Sequence, residues 1–231
     1  MNVKNEKLVR SHDLLRDFFQ AIICNKKNSN NFIVTGLPRS GTKFLAEVIQ
    51  KSTELKAFHD RSAWMFYQRK KSGASEGNKY IRLINKRLQK SNYGEICGGF
   101  RLHLEMYAVR HKFLIIRDPH QVWLSHANMN GPESLQHSDL SANLARIEKL
   151  RYQCDRTIAF SKMTSSHRYL QQVLIDLGAE HVNIPQKLIE KKVNSRKIKY
   201  ETINELPSWL RAKIIEESNY FREQWMSEDI L

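Results

Sequence analysis

The stretch FIVTGLPRSGTKFLAEVI, residues 32–49, constrains this chain more than any other. A short run rich in β-branched and aromatic residues, Phe32 to Val34, predicts a strand. The spacing of Phe44, Leu45, Val48 and Ile49 predicts a helix from about Thr42 to Lys51. Between them Gly36 and Gly41 bracket a turn. Such a unit leaves the first backbone N–H groups of the helix unpaired and points the positive end of its dipole at the loop, so it favours an anion. The candidate binding residues are Pro38, Arg39, Ser40, Gly41, Thr42 and Lys43, which combine an adaptable backbone with charge and hydroxyl donors. The glycine spacing is that of the nucleotide loop G-x-x-x-x-G-K-[ST], but Thr42 and Lys43 stand in transposed order.

The strand-to-helix pattern returns further on. Phe113 to Ile116 reads as a second strand, followed by RDPHQVWLSHA, where Asp118 can cap a helix and Pro119 suits its first turn. A third strand is predicted over Thr157 to Phe160, then a turn at TSSH and a helix from about Arg168 to Leu177 stopped by Gly178. Longer helices are predicted over about 138–155 and 207–225, and an amphipathic leading helix over about the first 25 residues. Residues 60–89 read as two polar surface helices broken by the loop KSGASEGN. Strands alternating with helices predict an α/β fold, a three-layer sandwich around a central parallel sheet, in one domain spanning 1–231.

A net charge of +14 admits three classes of partner: nucleic acid, an anionic membrane surface, or small ligands rich in phosphate or sulfate. No zinc-finger pattern, RNP motif or basic stripe interleaved with aromatics is present, so nucleic acid is not an expected partner. Cys24, Cys97 and Cys154 are odd in number and far apart, without metal-ligand spacing, which predicts reduced thiols and no metal site. The charged N-terminal stretch has no apolar signal region, and no run reaches the ~18 apolar residues of a membrane span. The expectation is a cytoplasmic protein without membrane association.

With these residues in place, G-x-P-R-S-G-T followed by an apolar helix resembles the 5′-phosphosulfate loop of the sulfotransferases. FLIIRDPHQVWLS resembles that family's 3′-phosphate element, a strand ending in Arg, then D-P, then Ser eight positions after the Arg. TIAFSKMTSSHRYLQQVLIDLG is similar to its late strand-turn-helix, with Ser161 where an acid is common. The resemblance implies a P-loop NTPase-like fold and 3′-phosphoadenosine-5′-phosphosulfate as donor, with adenosine 3′,5′-bisphosphate as product. It also implies Arg117 and Ser125 on the 3′-phosphate, Arg39 on the leaving-group side, and residues 60–112 as a variable acceptor-side region. A guanidinium plus a hydroxyl is sound chemistry for a ribose 3′-phosphate, which ATP lacks. The stretch Asn194 to Lys197 sits where relatives supply late phosphate contacts, and Lys43 replaces a second Thr common in them.

Sulfuryl transfer needs an in-line acceptor, a base for its proton, and positive charge where the leaving phosphate forms. By spacing, Asp60 falls 21 residues past Arg39, where the resemblance puts a catalytic carboxylate in several branches. His59 beside it has the better ordinary pKa, ~6.5 against ~3.9. Glu95 in the glycine-rich YGEICGGFR is a further candidate, otherwise a surface carboxylate, and His103 matches a different branch of the family. Trp64, Phe66 and Tyr67 could form an acceptor pocket or belong to the core. The acceptor is a hydroxyl or amine on a glycan, peptide or small molecule. Two other readings remain open: an ATP-dependent phosphotransferase with an eccentric loop, and a non-catalytic relative that binds a nucleotide or anion.

Overall fold

The first strand, β1 (Asn31–Gly36), is buried along its whole length and feeds two cores at once. Ile33 points into one, Phe32 and Val34 into the other. That alternation is the signature of a strand covered on both faces. The structure, a computed structural model, describes residues 30–60, 81–89, 92–190 and 198–231. The leading helix, Arg61, Trp64, Phe66, Tyr67 and the stretch from Asn194 to Lys197 lie outside the described residues.

After β1 come α1 (Thr42–Ser52), β2 (Lys56–His59), a helical stretch over residues 81–88, β3 (Tyr93–Ile96) and β4 (His111–Ile116). The chain continues through α2 (Pro119–Asn130), α3 (Leu140–Arg151), β5 (Arg156–Ala159), α4 (Phe160–Ser165), α5 (His167–Asp176), α6 (Gln186–Glu190) and α7 (Ser208–Ser227). The five strands pair in parallel in the order β2-β3-β1-β4-β5. One core holds Leu114 and Ile116 of β4 with residues of the 81–88 stretch, α2, α3 and α7, among them the fully buried Trp225. The other holds Phe113 and Ile115 with α1, α4 and α5. The protein is therefore an α/β three-layer sandwich around an all-parallel sheet.

The sequence reading and the structure differ at four places. β2 and β3 do not stand out in the sequence, because KAFH and YGEI are four residues each and interrupted by polar residues. β3 is nevertheless central, paired to β1 on one side and β2 on the other. The expected turn at TSSH narrows to Ser166, because α4 runs through Ser165 and α5 starts at His167, and the strand before α4 ends at Ala159. Residues 81–88 bury Ile81, Ile84 and Leu88 against the sheet, so this part of the expected surface segment is core.

Gly94 explains part of why β3 escapes notice. It reads as a loop glycine near a ligand, but the Phe32 ring lies across it, and a Cβ there would stand 2.1 Å from Phe32 Cε2. Glu95, read from sequence as a surface carboxylate, is 0% exposed, accepts a 3.0 Å hydrogen bond from the Tyr93 hydroxyl and faces Arg87 at 3.7 Å. A Gly94→Ala change forces the Phe32 ring to move and should cost about 1–3 kcal/mol by overpacking. It should lower the urea midpoint with the slope unchanged; a wild-type midpoint would show that the ring has room to give.

Candidate active site

In a parallel sheet every strand ends at the same edge, so the segments after β1, β2, β3 and β4 meet there. From β1 the chain moves to the β3–β2 side, and from β4 to β5 on the other, which opens a crevice between β1 and β4, the usual ligand position in such sheets. The segment from Leu37 to Gly41 lies at this crevice. Arg39 and Gly41 both take positive φ, 73° and 104°, and the Ser40 N–H donates to the Leu37 carbonyl at 3.1 Å. The N-terminus of α1 carries no side-chain cap. Ser40 Oγ is buried in the loop with no hydrogen-bond partner among the described residues, an orphaned donor of the kind a bound oxyanion would satisfy.

Three residues singled out from two separate motifs come together here. Arg39 Nε donates to Ser125 Oγ at 3.1 Å, and Arg117 Nη1 donates to the Arg39 carbonyl at 2.9 Å. The Arg117 guanidinium lies 4.4 Å from the centre of the Phe160 ring, a cation–π contact at the start of α4. Burial, then the neighbouring Arg39 charge, pull Arg117 down to about 10, against the opposing effect of Asp118. Asp118 is itself engaged twice: one oxygen caps α2 by accepting from the His120 N–H at 2.9 Å, the other accepts from Arg222 Nε at 3.0 Å.

On the other side of the loop, Thr42 at the start of α1 meets His59 at the end of β2. Thr42 Oγ1 and His59 Nε2 are 3.1 Å apart, and His59 Nδ1 lies 3.4 Å from Asp60 Oδ2. With the Nδ1 proton facing Asp60, Nε2 accepts from the threonine hydroxyl. Burial first, then Lys43, hold His59 below its ordinary value, although Asp60 pulls the other way. Asp60 is exposed, with φ at 53°, and its N–H extends the ladder by donating to the Ile96 carbonyl at 3.0 Å.

The remaining candidates separate. Pro38 on the loop and Lys43 in the first turn of α1 are exposed. Glu95, one residue before the end of β3, is fully buried, where it accepts from the Tyr93 hydroxyl and faces Arg87. His103 follows the turn after β3, its Nδ1 4.0 Å from Glu105. Sequence reading passed over Phe160, Cys97 and Arg101. Phe160 sits in the late motif but was counted into the strand; the other two lie in the glycine-rich run after β3, where only the fold reveals their nearness to the loop.

No protein-family model and no curated protein matches the sequence. Among solved structures, the chain is similar to a crystal structure of a sulfotransferase from Alicyclobacillus acidocaldarius, with 15% identity and a TM-score of 0.49 over 84% of this chain and 95% of that one. At that level the likeness assigns no residue, and the site stands on its own geometry. No helix among the described residues is long and apolar enough to cross a membrane.

His59, His111, His120 and His126 are all held below their ordinary 6.5, burial being the largest cause in each. The unfolded chain therefore takes up protons below about pH 6.5 that the folded chain resists, so stability rises with pH through that window. Urea midpoints should fall between pH 7.5 and 5.5, and a His59→Asn variant should show a smaller fall. An equal fall in the variant would show that His59 does not contribute.

Proposed function

We propose that this protein is a sulfotransferase, moving a sulfuryl group from 3′-phosphoadenosine-5′-phosphosulfate to a hydroxyl or amine acceptor by in-line displacement. The observation that carries this reading is the meeting of Arg39, Arg117 and Ser125 at the β1–β4 crevice. The Arg117 guanidinium and the Ser125 hydroxyl suit a ribose 3′-phosphate, the group that distinguishes this donor from ATP, and Arg39 between them and the loop links that site to the 5′ side. The orphaned Ser40 hydroxyl and the uncapped start of α1 suit its 5′ end. When bound, the donor supplies the sulfuryl group and leaves as adenosine 3′,5′-bisphosphate.

The chain's own residues divide the work. Arg117 and Ser125 hold the 3′-phosphate; Arg39, Ser40, Gly41 and Thr42 bind the 5′ side and offset the charge that develops on the leaving phosphate. Asp60, exposed at the sheet edge, takes the acceptor's proton, and His59, held between Asp60 and Thr42, orients it. Asp118 counts against the magnesium-ATP reading, because a helix cap and Arg222 already occupy its two oxygens.

Adenosine 3′,5′-bisphosphate at ~100 times its dissociation constant should stabilise the protein by ~2.7 kcal/mol, a rise of roughly 5–10 °C in Tm. No response to it, with a clear one to magnesium-ATP, would sink this reading. An Arg117→Gln change should weaken bisphosphate binding about ten- to hundredfold, while Lys43→Thr, at an exposed position, should leave it nearly unchanged. Asp60→Asn should lower kcat by about 10²–10⁴ with donor affinity retained. Bisphosphate binding without turnover on any acceptor, in wild type as in Arg39→Ala, would favour a non-catalytic relative.

A further inference from the structure

Arg101 is a half-buried cation with no carboxylate partner among the described residues. It lies in the short 3-10 turn Gly98–Leu102 that follows β3, and its Nη1 donates to the Gly98 carbonyl at 2.6 Å. Its Nε is buried with no hydrogen-bond partner, and among the described residues no acid pairs with it. Burial pushes it below the ordinary arginine range, and the charged neighbour that adds to this is another cation, Arg146 of α3. The bond to Gly98 does not explain the charge, since a neutral amide could make it. Desolvating a guanidinium beside a second one is unfavourable unless an anion joins them.

The position says which anion. A Cβ built on Gly98 would lie 3.5 Å from Arg101 Nη1, 3.8 Å from the Pro38 nitrogen and 3.2 Å from the Gly36 carbonyl, so the turn packs directly against the loop after β1. It does so from the β3 side, with β1 between it and Arg117. The backbone ties it to the proposed base: the Asp60 N–H donates at 3.0 Å to the carbonyl of Ile96, the residue before Cys97, and Cys97 is the N-cap of the turn that carries Arg101. Arg101 and Asp60 thus both belong to the β3–β2 side of the edge, joined through the segment Ile96–Gly98, across the loop from the residues assigned to the 3′-phosphate.

We propose that the acceptor carries a negatively charged group, a carboxylate, sulfate ester or phosphate ester, and that Arg101 binds it while Asp60 receives the proton of the reacting hydroxyl. Arg146 adds long-range charge from α3. This rests on the sulfotransferase reading and narrows it from any hydroxyl acceptor to an acidic one. A single oxyanion satisfies the idle guanidinium face and fixes the acceptor at a second point, which in-line transfer requires. Arg101 is in this account a specificity residue, with no part in holding the donor.

The test uses the full chain saturated with adenosine 3′,5′-bisphosphate and titrated calorimetrically with matched probes: 4-hydroxybenzoate against 4-hydroxybenzyl alcohol, and methyl glucuronide against methyl glucoside. At least one acid should bind at least tenfold tighter than its neutral twin. Arg101→Gln should erase that advantage with bisphosphate affinity unchanged, and Arg101→Lys should retain part of it. Lys149→Gln, which removes a charge from the exposed side of α3, should preserve it in full. Equal binding of acids and neutral twins, or no binding of either acid, overturns the inference, as does a loss in Lys149→Gln equal to that in Arg101→Gln. Bisphosphate binding is read first in every protein. Its absence in wild type overturns the sulfotransferase reading itself, whereas its presence without an acid preference overturns only the role of Arg101.

Discussion

The hydrogen bond from Arg117 to the Arg39 carbonyl, 2.9 Å long, joins the end of β4 to the loop after β1. Arg39 stands at φ 73°, a conformation that L-residues other than Asn, Asp and Gly adopt at a cost. The bond helps hold that backbone, and the same turn sends the Arg39 side chain to Ser125. One contact therefore aligns the loop, two cations and a helix hydroxyl across the crevice. Its cost is the burial of one guanidinium beside another: burial first, then the Arg39 charge, pull Arg117 down to about 10. An anion bound between the two guanidiniums would reverse the sign of that cost.

The sheet was legible where its strands were apolar. FIVTG and FLII announce β1 and β4 because a parallel strand covered on both faces selects β-branched and aromatic residues at every position. The cap on α2 was equally legible, since Asp118 and Pro119 act within one turn of themselves. β3 was not, although it is as central as β4. Its Gly94 and Glu95 look like loop residues until Phe32, the Tyr93 hydroxyl and Arg87 are in view. Phe32 is more than sixty residues away in the chain, so no local pattern could supply this partner.

The candidate site divides along the same line. Arg39, Arg117 and Ser125 sit in motifs whose chemistry is readable from residue type and spacing. The link between Thr42 and His59 depends instead on β2 lying two strands from β1, a position that KAFH does not advertise. Arg101 was hidden more deeply, because an arginine after two glycines reads as a solvated charge. Only its burial, and the lack of an acid beside it among the described residues, set it apart.

The edge of the sheet is thus partitioned by β1. On the β4–β5 side lie Arg117, Ser125 and the Phe160 ring; on the β3–β2 side lie Arg101, Cys97, His59 and Asp60, with the loop between. Asp60 occupies the point where the chain leaves the sheet, its N–H still bonded to Ile96 while φ turns to 53°. Aspartate is among the few residue types that tolerate that backbone. The residue that can end β2 in this way is also one that can accept a proton there. The requirement of the fold and the role proposed for the base therefore fall on one side chain, exposed at the sheet edge, whereas both ring nitrogens of His59 face a partner, Thr42 and Asp60.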